Sequence, residues 1–206
     1  MKNRDLEKWE TLQSQEVYVA EPWIKVAKLQ VRLPNGRVVD DYHHIELGDY
    51  AVVYALTEDG SVIVERQYKH GIGKVTLAMP AGRIEPGEVP LEAAQRELLE
   101  ETGYSADRWD LLGNFAINGN YGCGNAHIFM AQGARLVTEA DSGDLEEIEV
   151  VLMDPVELTK SIREGGIDLF GTAATVALAT NHLIGMEIVG RDRMDAPTNG
   201  GKLLIE

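Results

Sequence analysis

Three glutamates stand close together in the segment QRELLEETG, residues 95–103: Glu97, Glu100 and Glu101. If this segment is helical, side chains three and four positions apart lie on one side, so the three carboxylates repel one another. They also lie toward the carboxyl end of the helix, where the macrodipole disfavours negative charge. Clustered carboxylate oxygens are the ligands that hard divalent cations prefer, and such a cation would relieve the repulsion. The spacing therefore favours a Mg²⁺ or Mn²⁺ site over the alternative, a solvated acidic helix face.

The element that must position these carboxylates is a helix, predicted over residues 90–102. Pro90 suits the first helical position, and Gly103 suits a left-handed stop. The apolar stripe that would bury one side of the helix comprises Leu91, Ala94 and Leu98. The glutamates would then lie beside this stripe, at the edge of the buried surface.

Strands dominate the first half of the chain, and helices flank the later strands. Alternating and β-branched runs predict strands at 27–33, 37–47, 49–56, 61–69, 109–117, 126–131 and 147–153. Two further helices are predicted, one capped by Asp154 and one over 172–184 that ends at Gly185. This order indicates an α+β or αβα layered fold.

Three parts of the chain are predicted from these elements. Residues 1–48 would form a small antiparallel sheet of their own, with a turn at the sequence PNG. Residues 49–190 would form the main domain. Residues 191–206, which include APTNGG, are predicted to be a flexible tail.

The composition argues against several classes of protein. Asp and Glu number 34 against 19 Lys and Arg, a net charge of −15, which disfavours a broad nucleic-acid-binding surface. The single Cys123 excludes an intrachain disulfide and fits a reducing compartment. The first residues form no apolar leader, and the apolar stretch 171–190 is a poor membrane span. We therefore expect a cytoplasmic protein without nucleic-acid or membrane partners.

The segment GRIEPGEVPLEAAQRELLEETGY, Gly82 to Tyr104, resembles the Nudix box. That pattern is Gly, five residues, Glu, seven residues, then Arg-Glu-apolar-any-Glu-Glu-any-Gly-apolar, and every defined position is filled at the correct spacing. The matching residues are Gly82, Glu88, Arg96, Glu97, Leu98, Glu100, Glu101, Gly103 and Tyr104. The resemblance implies an αβα sandwich with a mixed sheet, which hydrolyses a nucleoside diphosphate linked to another moiety.

The resemblance also implies a role for each charged residue of the box. Glu97, Glu100 and Glu101 would hold the divalent metals. Arg96 and Glu88 would orient these ligands, with Arg96 and Glu100 also part of the catalytic machinery and the two box glycines structural. For Glu88 the alternative is a charge that merely favours the start of the helix.

Similarity outside the box is to the ADP-ribose pyrophosphatase branch, through PWIKVAKLQVRLPNGR, VIVERQYKHGIGK and MPAGRIEPGE. In that branch the N-terminal strands are exchanged across a homodimer and help to hold the base. The resemblance implies metal ligation by the carbonyl of Ala81 and phosphate contacts from Arg66 and Lys69. Trp23 is a candidate for stacking on the base. The alternatives are packing for Trp23 and a solubilising edge pair for Arg66 and Lys69.

The remaining candidate residues fall in two loops. The segment SGDLEEIEV, residues 142–150, would supply a general base, with Glu146 the first choice and Glu147 the second; a solvated acidic loop is the alternative. The chain departs from the branch at Ala78, where Glu is usual. Gly119 stands near the place of a marker proline, in a loop that typically contacts the substrate.

The predicted function is Mg²⁺- or Mn²⁺-dependent hydrolysis of ADP-ribose or a related nucleoside diphosphate sugar, giving a nucleoside monophosphate and a sugar phosphate. One alternative is a hydrolase of GDP-mannose or another nucleotide sugar. A second is a Nudix-fold nucleotide-sugar sensor, against which the intact box argues. A third is a housekeeping enzyme for damaged nucleoside triphosphates, against which the N-terminal strand region argues.

Overall fold

A computed structural model describes residues 6–143, 145 and 147–194 of the chain. The strands are β1 (Glu10–Ala20), β2 (Ile24–Arg32), β3 (Val38–Glu46), β4 (Tyr50–Thr57), β5 (Val62–Lys69), β6 (Lys74–Ala78), β7 (Ala81–Arg83), β8 (Tyr104–Ser105), β9 (Arg108–Asn118), β10 (Gly122–Leu136) and β11 (Ile148–Met153). The helices are α1 (Pro90–Thr102), α2 (Pro155–Glu164) and α3 (Phe170–Met194).

Strand β10 lies at the centre of a mixed sheet. It pairs in parallel with β4, with Ala126 opposite Tyr50, and antiparallel with β9, with Ile128 opposite Gly113. Strand β5 then joins β4 on one side and β11 on the other. Strand β4 is apolar at nearly every position, because it is covered on both faces.

Helices cover the two faces of this sheet. On one face α1 packs Ala93, Ala94 and Leu98 against strand residues such as Val53 and Phe129. On the other face, Leu158 of α2 and Val176 and Ala179 of α3 pack against strand residues that include Tyr54 and Met130. The predicted α+β class and αβα layering are confirmed.

The sheet opens into two arms near α1. Strands β4 and β5 pair at only two positions, Ala55 with Ile63 and Leu56 with Val62. Beyond these positions β5 pairs with β6, whereas β4 pairs with β7. The space between the arms faces the carboxyl-terminal half of α1, and the candidate site lies there.

Strands β1, β2 and β3 form an antiparallel N-terminal sheet. A single parallel pairing, Gly122 with Ile45, links this sheet to β10, so it is joined to the main sheet at one position. Strand β1 is exposed along most of its length, including Val17, Tyr18 and Val19. Such a long, uncovered apolar edge strand is unusual in a monomer.

The helix ends show where local sequence signals were sufficient. Helix α1 has the predicted bounds and stops at Gly103, which has φ 75°. Leu91 is exposed rather than part of the buried stripe, whereas Ala93 is fully buried. The predicted end of the last helix at Gly185 is wrong, since α3 continues to Met194. An isolated glycine costs only about 1 kcal/mol in a helix and does not end it without a further signal.

The tail predicted over residues 191–206 overlaps the end of α3. Residues 191–194 are helical, and residues 195–206 lie outside the described part of the chain. Within the described residues, no helix is both long and apolar enough to cross a membrane.

Candidate active site

Helix α1 is fixed at both ends by its own sequence. Val89 is the N-cap, Pro90 follows it, and the Glu92 carboxylate accepts a 3.5 Å hydrogen bond from the Val89 amide. At the other end the Gly103 amide donates to the Leu99 carbonyl from a left-handed conformation. The buried residues Ala94 and Leu98 then fix the rotation of the helix, which turns Glu97 and Glu101 toward the space between the two arms of the sheet.

The Arg96 guanidinium binds three carboxylates, those of Glu97 and Glu100 on this helix and that of Glu88, which precedes the helix. It makes two hydrogen bonds to Glu88, Nε to Oε1 at 2.9 Å and Nη2 to Oε2 at 3.1 Å. Nη1 donates to Glu97 Oε1 at 2.7 Å and to Glu100 Oε2 at 3.1 Å. Nη2 also donates to the main-chain carbonyl of Arg83 at 3.0 Å. Hydrogen bonds from Arg96 hold the pKa of Glu88 below its usual value, so Glu88 is ionised at neutral pH.

Glu101 lies in a different environment, on the inner side of the helix. The residue is only 7% exposed, and its Oε2 accepts a 2.8 Å hydrogen bond from the Ala81 amide. Burial raises the pKa of Glu101 far above its usual value, and the charges of Glu65 and Glu97 raise it further. Binding of a proton or a cation at this carboxyl would therefore relieve both the cost of burial and the repulsion from its neighbours.

Glu65 was missed by the sequence analysis. It is fully buried on β5, interacts with Glu101, and accepts a 2.8 Å hydrogen bond from the Gln67 amide. The available signal was alternation: in VIVERQYK, Glu65 falls two positions after Ile63, which is buried beneath α1. An acidic residue at an inward position of a buried strand is costly unless something compensates its charge.

Gly82 leaves room for the Glu97 carboxylate. A Cβ on Gly82 would lie 2.0 Å from the Cδ and Oε1 atoms of Glu97, so any larger residue would displace that carboxylate. Gly103 is needed for a different reason: besides its positive φ, a Cβ there would lie 2.3 Å from the Thr138 carbonyl. The two box glycines thus act on Glu97 and on the end of α1, respectively.

The donor set suits a hard divalent cation, because it consists of carboxylate oxygens and nearby main-chain carbonyls. In the described part of the chain, no group of three or more His, Cys, Asp or Glu side chains is arranged to enclose a metal ion. The cationic partner of Glu97 and Glu100 in this structure is Arg96. The residues present fit the cation: the carboxylate over Gly82 and the buried, charge-repelled Glu101 both face the same cavity.

That cavity has a volume of about 750 Å³ and lies between the arms of the sheet. Its chemically active lining residues are Trp23, Gln67, Lys69, Arg83, Arg96, Glu97 and Glu101. The main chain at Ala81 also lines it. The fold therefore brings together residues from the N-terminal sheet, β5, β7 and α1, which are far apart in the sequence.

Several predicted site residues lie elsewhere. Arg66 does not line this cavity, because it points to the other face of β5 and pairs with Glu149 at 2.7 Å. Gly119 is in the turn between β9 and β10, also outside the cavity. Glu147, the residue before β11, is exposed and does not line the cavity. Glu146 lies outside the described residues, so its assignment as the general base stays a prediction.

Two family models match this chain. The NUDIX domain model matches residues 47–169. The chain belongs to the Nudix family. A second model, the nucleoside diphosphate sugar hydrolase N-terminal domain, matches residues 9–45 of this Nudix hydrolase, which correspond to most of the N-terminal sheet. Nudix hydrolases generally need divalent cations, in agreement with the carboxylate-rich site.

Individual relatives share most of the Nudix domain. A methanol dehydrogenase activator from Bacillus methanolicus is 35% identical over 138 residues, which are 66% of this chain and 72% of the relative. An ADP-ribose pyrophosphatase from Bacillus subtilis (strain 168) is 32% identical over 135 residues, 64% of this chain and 72% of the relative. A crystal structure of an ADP compounds hydrolase has a TM-score of 0.79 at 21% identity and covers 89% of this chain and 98% of that one. At this identity the structural likeness shows the fold alone.

Proposed function

We propose that this Nudix hydrolase cleaves the pyrophosphate bond of ADP-ribose or a related nucleoside diphosphate sugar. The products would be a nucleoside monophosphate and a sugar phosphate. The observation that carries this proposal is the single cavity in which Glu97 and Glu101 lie beside the cationic Lys69 and the aromatic Trp23. Carboxylates can hold the metal ion, a cationic side chain can contact the diphosphate, and an aromatic ring can stack on the base. Relatives named ADP-ribose pyrophosphatase and ADP-sugar pyrophosphatase support the choice of substrate.

Mg²⁺ or Mn²⁺ is the proposed cofactor, held by Glu97, Glu100, Glu101 and the carbonyl of Ala81. When bound, such an ion neutralises charge on the diphosphate and makes a water molecule more acidic. Oxygen ligands without sulfur or imidazole favour these hard ions over softer metals. Arg96 contacts Glu88, Glu97 and Glu100 at once, so its proposed role is to position carboxylates.

The remaining tasks fall to groups around the cavity. Lys69 is proposed to contact a phosphate oxygen, and Trp23 to stack on the base. Attack of water on phosphorus breaks the bridging P–O bond, and the attacking water must give its proton to a base. Glu146 stays the proposed acceptor, with Glu147 the second choice. Arg66 is not retained as a phosphate ligand, since its side chain is paired with Glu149 outside the cavity.

A homodimer through the N-terminal sheet is the proposed assembly. Strand β1 is an edge strand that pairs only with β2 among the described strands. Four apolar or aromatic residues on or beside it are about half exposed: Trp9, Val17, Tyr18 and Val19. Burial of this apolar surface against a second copy would stabilise the sheet. Sedimentation equilibrium at micromolar concentration tests the assembly: a dimer is expected, and a monomer at all concentrations would contradict the proposal.

Substrate choice is tested with a panel of purified compounds and Mg²⁺. The panel contains ADP-ribose, GDP-mannose, UDP-glucose and the common nucleoside triphosphates; phosphate is measured after alkaline phosphatase for the nucleotide sugars and after inorganic pyrophosphatase for the triphosphates. ADP-ribose is expected to have the highest kcat/KM. A higher kcat/KM for GDP-mannose would replace the substrate, and no turnover of any compound with Mg²⁺ or Mn²⁺ would refute the proposed activity.

A further inference from the structure

Arg83 stands within the Nudix box at a position where the pattern allows any residue. Its side chain nevertheless makes defined contacts with the turn between β1 and β2. Nη2 donates a 2.7 Å hydrogen bond to the main-chain carbonyl of Pro22. The Cζ atom lies 5.1 Å from the centroid of the Trp23 ring, within the range of a cation–π contact. One guanidinium therefore contacts two of the three residues of this turn, Pro22 and Trp23.

The Arg83 side chain passes close to Gly48, which has no side chain to obstruct it. A Cβ on Gly48 would lie 3.0 Å from Arg83 Nε and 3.1 Å from Nη2, so a larger residue would crowd the guanidinium. Strand β10 holds the segment that contains Gly48. Gly124 packs closely on the Gly48 carbonyl, and the main-chain amide of Asn125 donates a 2.8 Å hydrogen bond to the Asp49 carboxylate. Arg83 is thus guided toward Trp23 by a fixed surface of the main domain.

The main chain of Arg83 is part of the hydrogen-bond network of the Nudix box. Its carbonyl accepts the 3.0 Å hydrogen bond from Arg96 Nη2, next to the guanidinium atoms that hold Glu88 and Glu97. Gly82, the residue before Arg83, leaves room for the Glu97 carboxylate. A single residue therefore joins the carboxylate cluster to the aromatic turn, and both line the same cavity.

We propose that Arg83 is a positioning residue for base recognition, which fixes Trp23 as one wall of the cleft. The inference rests on the proposed function, since it assigns the base of the nucleotide to the indole. Trp23 is 67% exposed and lies in a turn, so without the two contacts from Arg83 its ring would be free to move. The guanidinium covers one face of the indole and leaves the other face for a base. Holding the ring in place before binding reduces the entropy that binding must overcome.

The test separates recognition of the base from recognition of phosphate. Arg83→Ala, Arg83→Lys and Trp23→Leu enzymes are compared with the parent protein in ADP-ribose hydrolysis. Binding of AMP and of ribose 5-phosphate is measured by calorimetry with Mg²⁺ present. Arg83→Ala is expected to raise KM about tenfold and to weaken AMP binding to a similar extent, because a cation–π contact and a charge-assisted hydrogen bond are lost. The value of kcat and the affinity for ribose 5-phosphate are expected to stay within about threefold of the parent.

Two further variants sharpen the expectation. Arg83→Lys keeps the charge but not the planar group that stacks on the ring, so an intermediate KM is expected. The double variant Arg83→Ala, Trp23→Leu is expected to bind AMP no more weakly than Trp23→Leu alone, because Arg83 acts through the indole. Tyr68→Leu is the matched control. It removes an exposed aromatic side chain that does not line the cavity, and it is expected to leave AMP affinity unchanged.

Three results would overturn the inference. Equal loss of AMP and ribose 5-phosphate binding in Arg83→Ala would make Arg83 an anion ligand rather than a positioning residue. Unchanged AMP binding would remove its role altogether, and additive losses in the double variant would show that it does not act through Trp23. Absence of ADP-ribose hydrolysis in the parent protein would refute the proposed function separately, because the AMP titration does not depend on turnover.

Discussion

The two faces of the central sheet differ in chemistry although the same strands form both. Beneath α2 and α3 the buried side chains are almost all apolar, such as Tyr54, Met130 and Leu158. Beneath α1 the apolar cluster around Leu98 gives way, toward the carboxyl end of the helix, to buried carboxyl groups. Strand β5 contributes to both, because its side chains alternate between the faces.

This difference indicates how stability and activity are divided in the molecule. The α2/α3 face buries apolar surface without charge, which contributes free energy of folding. The α1 face places like charges close together and buries them, which costs free energy until a cation or proton is bound. Substitutions on the first face should therefore change stability more than activity, and substitutions at the site on the second face should do the reverse.

The largest expected effect is on turnover, in Glu101→Gln. Loss of this carboxylate should lower kcat about a hundredfold or more, because it is a proposed ligand of the metal ion that would stabilise charge on the reacting phosphate. The fold should persist, since glutamine is of similar size and removes a buried repulsion with Glu65 and Glu97. Steady-state kinetics with ADP-ribose and circular dichroism measure the two quantities. The exposed Glu92 on the same helix supplies the control, Glu92→Gln, and parent-like activity of Glu101→Gln would contradict the assignment.

On the opposite face, Leu158→Ala should change stability instead. Leu158 is fully buried between α2 and the sheet, so its truncation should cost about 2–5 kcal/mol and lower Tm by roughly 5–15 °C. At a temperature where the variant is folded, kcat/KM should stay within about twofold of the parent. Val156→Ala, an exposed position on the same helix, is the matched control with a small expected change. Loss of activity in folded Leu158→Ala would break the proposed division between the faces.

Gly82→Ala tests the site without removing any charged group. The added methyl would lie 2.0 Å from the Glu97 carboxylate, which can move because it ends a flexible side chain. Turnover should therefore fall about tenfold to a hundredfold through misplaced ligand geometry, while Tm changes by only a few degrees. Gly71→Ala is the control, since a Cβ there meets no atom within 4 Å. Equal activity of the two variants would refute the proposed close fit of Glu97 over Gly82.

Two basic residues of β5 give a comparison within one strand. Lys69 lines the cavity, whereas Arg66 points to the other face and pairs with Glu149. Lys69→Ala should raise KM for ADP-ribose about fivefold to tenfold by removing a charge-assisted contact with phosphate. Arg66→Ala should change KM less than about twofold, because an exposed ion pair contributes little. A larger KM effect for Arg66 than for Lys69 would reverse the assignment of the two faces.

Residues near one another in sequence were predicted well. The bounds of α1, its stop at Gly103 and the carboxylates of the box all follow from signals within a short segment. Glu65 was missed because its partner Glu101 is brought to it only by the packing of α1 on the sheet. Arg66 and Lys69 were treated alike because a motif does not show which face of a strand each side chain takes. The contact of Arg83 with Trp23 depends on the tertiary position of the N-terminal sheet, which no local pattern contains.

The smallest expected effect is a difference in the pH dependence of stability between Glu101, on the inner side of α1, and Glu88, which precedes this helix. The pKa of Glu101 is raised on folding, so its contribution to stability is full below the unfolded value of about 4.5 and is lost as pH rises toward the folded value. The pKa of Glu88 is lowered, so its contribution is present above that unfolded value and is lost as pH falls through the folded value. Urea unfolding with EDTA from pH 5 to 9 should show a free energy of unfolding that declines with pH in the parent and less steeply in Glu101→Gln. Glu88→Gln, the matched control, should keep the parent's slope in this range, because Glu88 is already ionised throughout it. An equal slope in the parent and in Glu101→Gln would show that the cost of burying charge under α1 lies elsewhere.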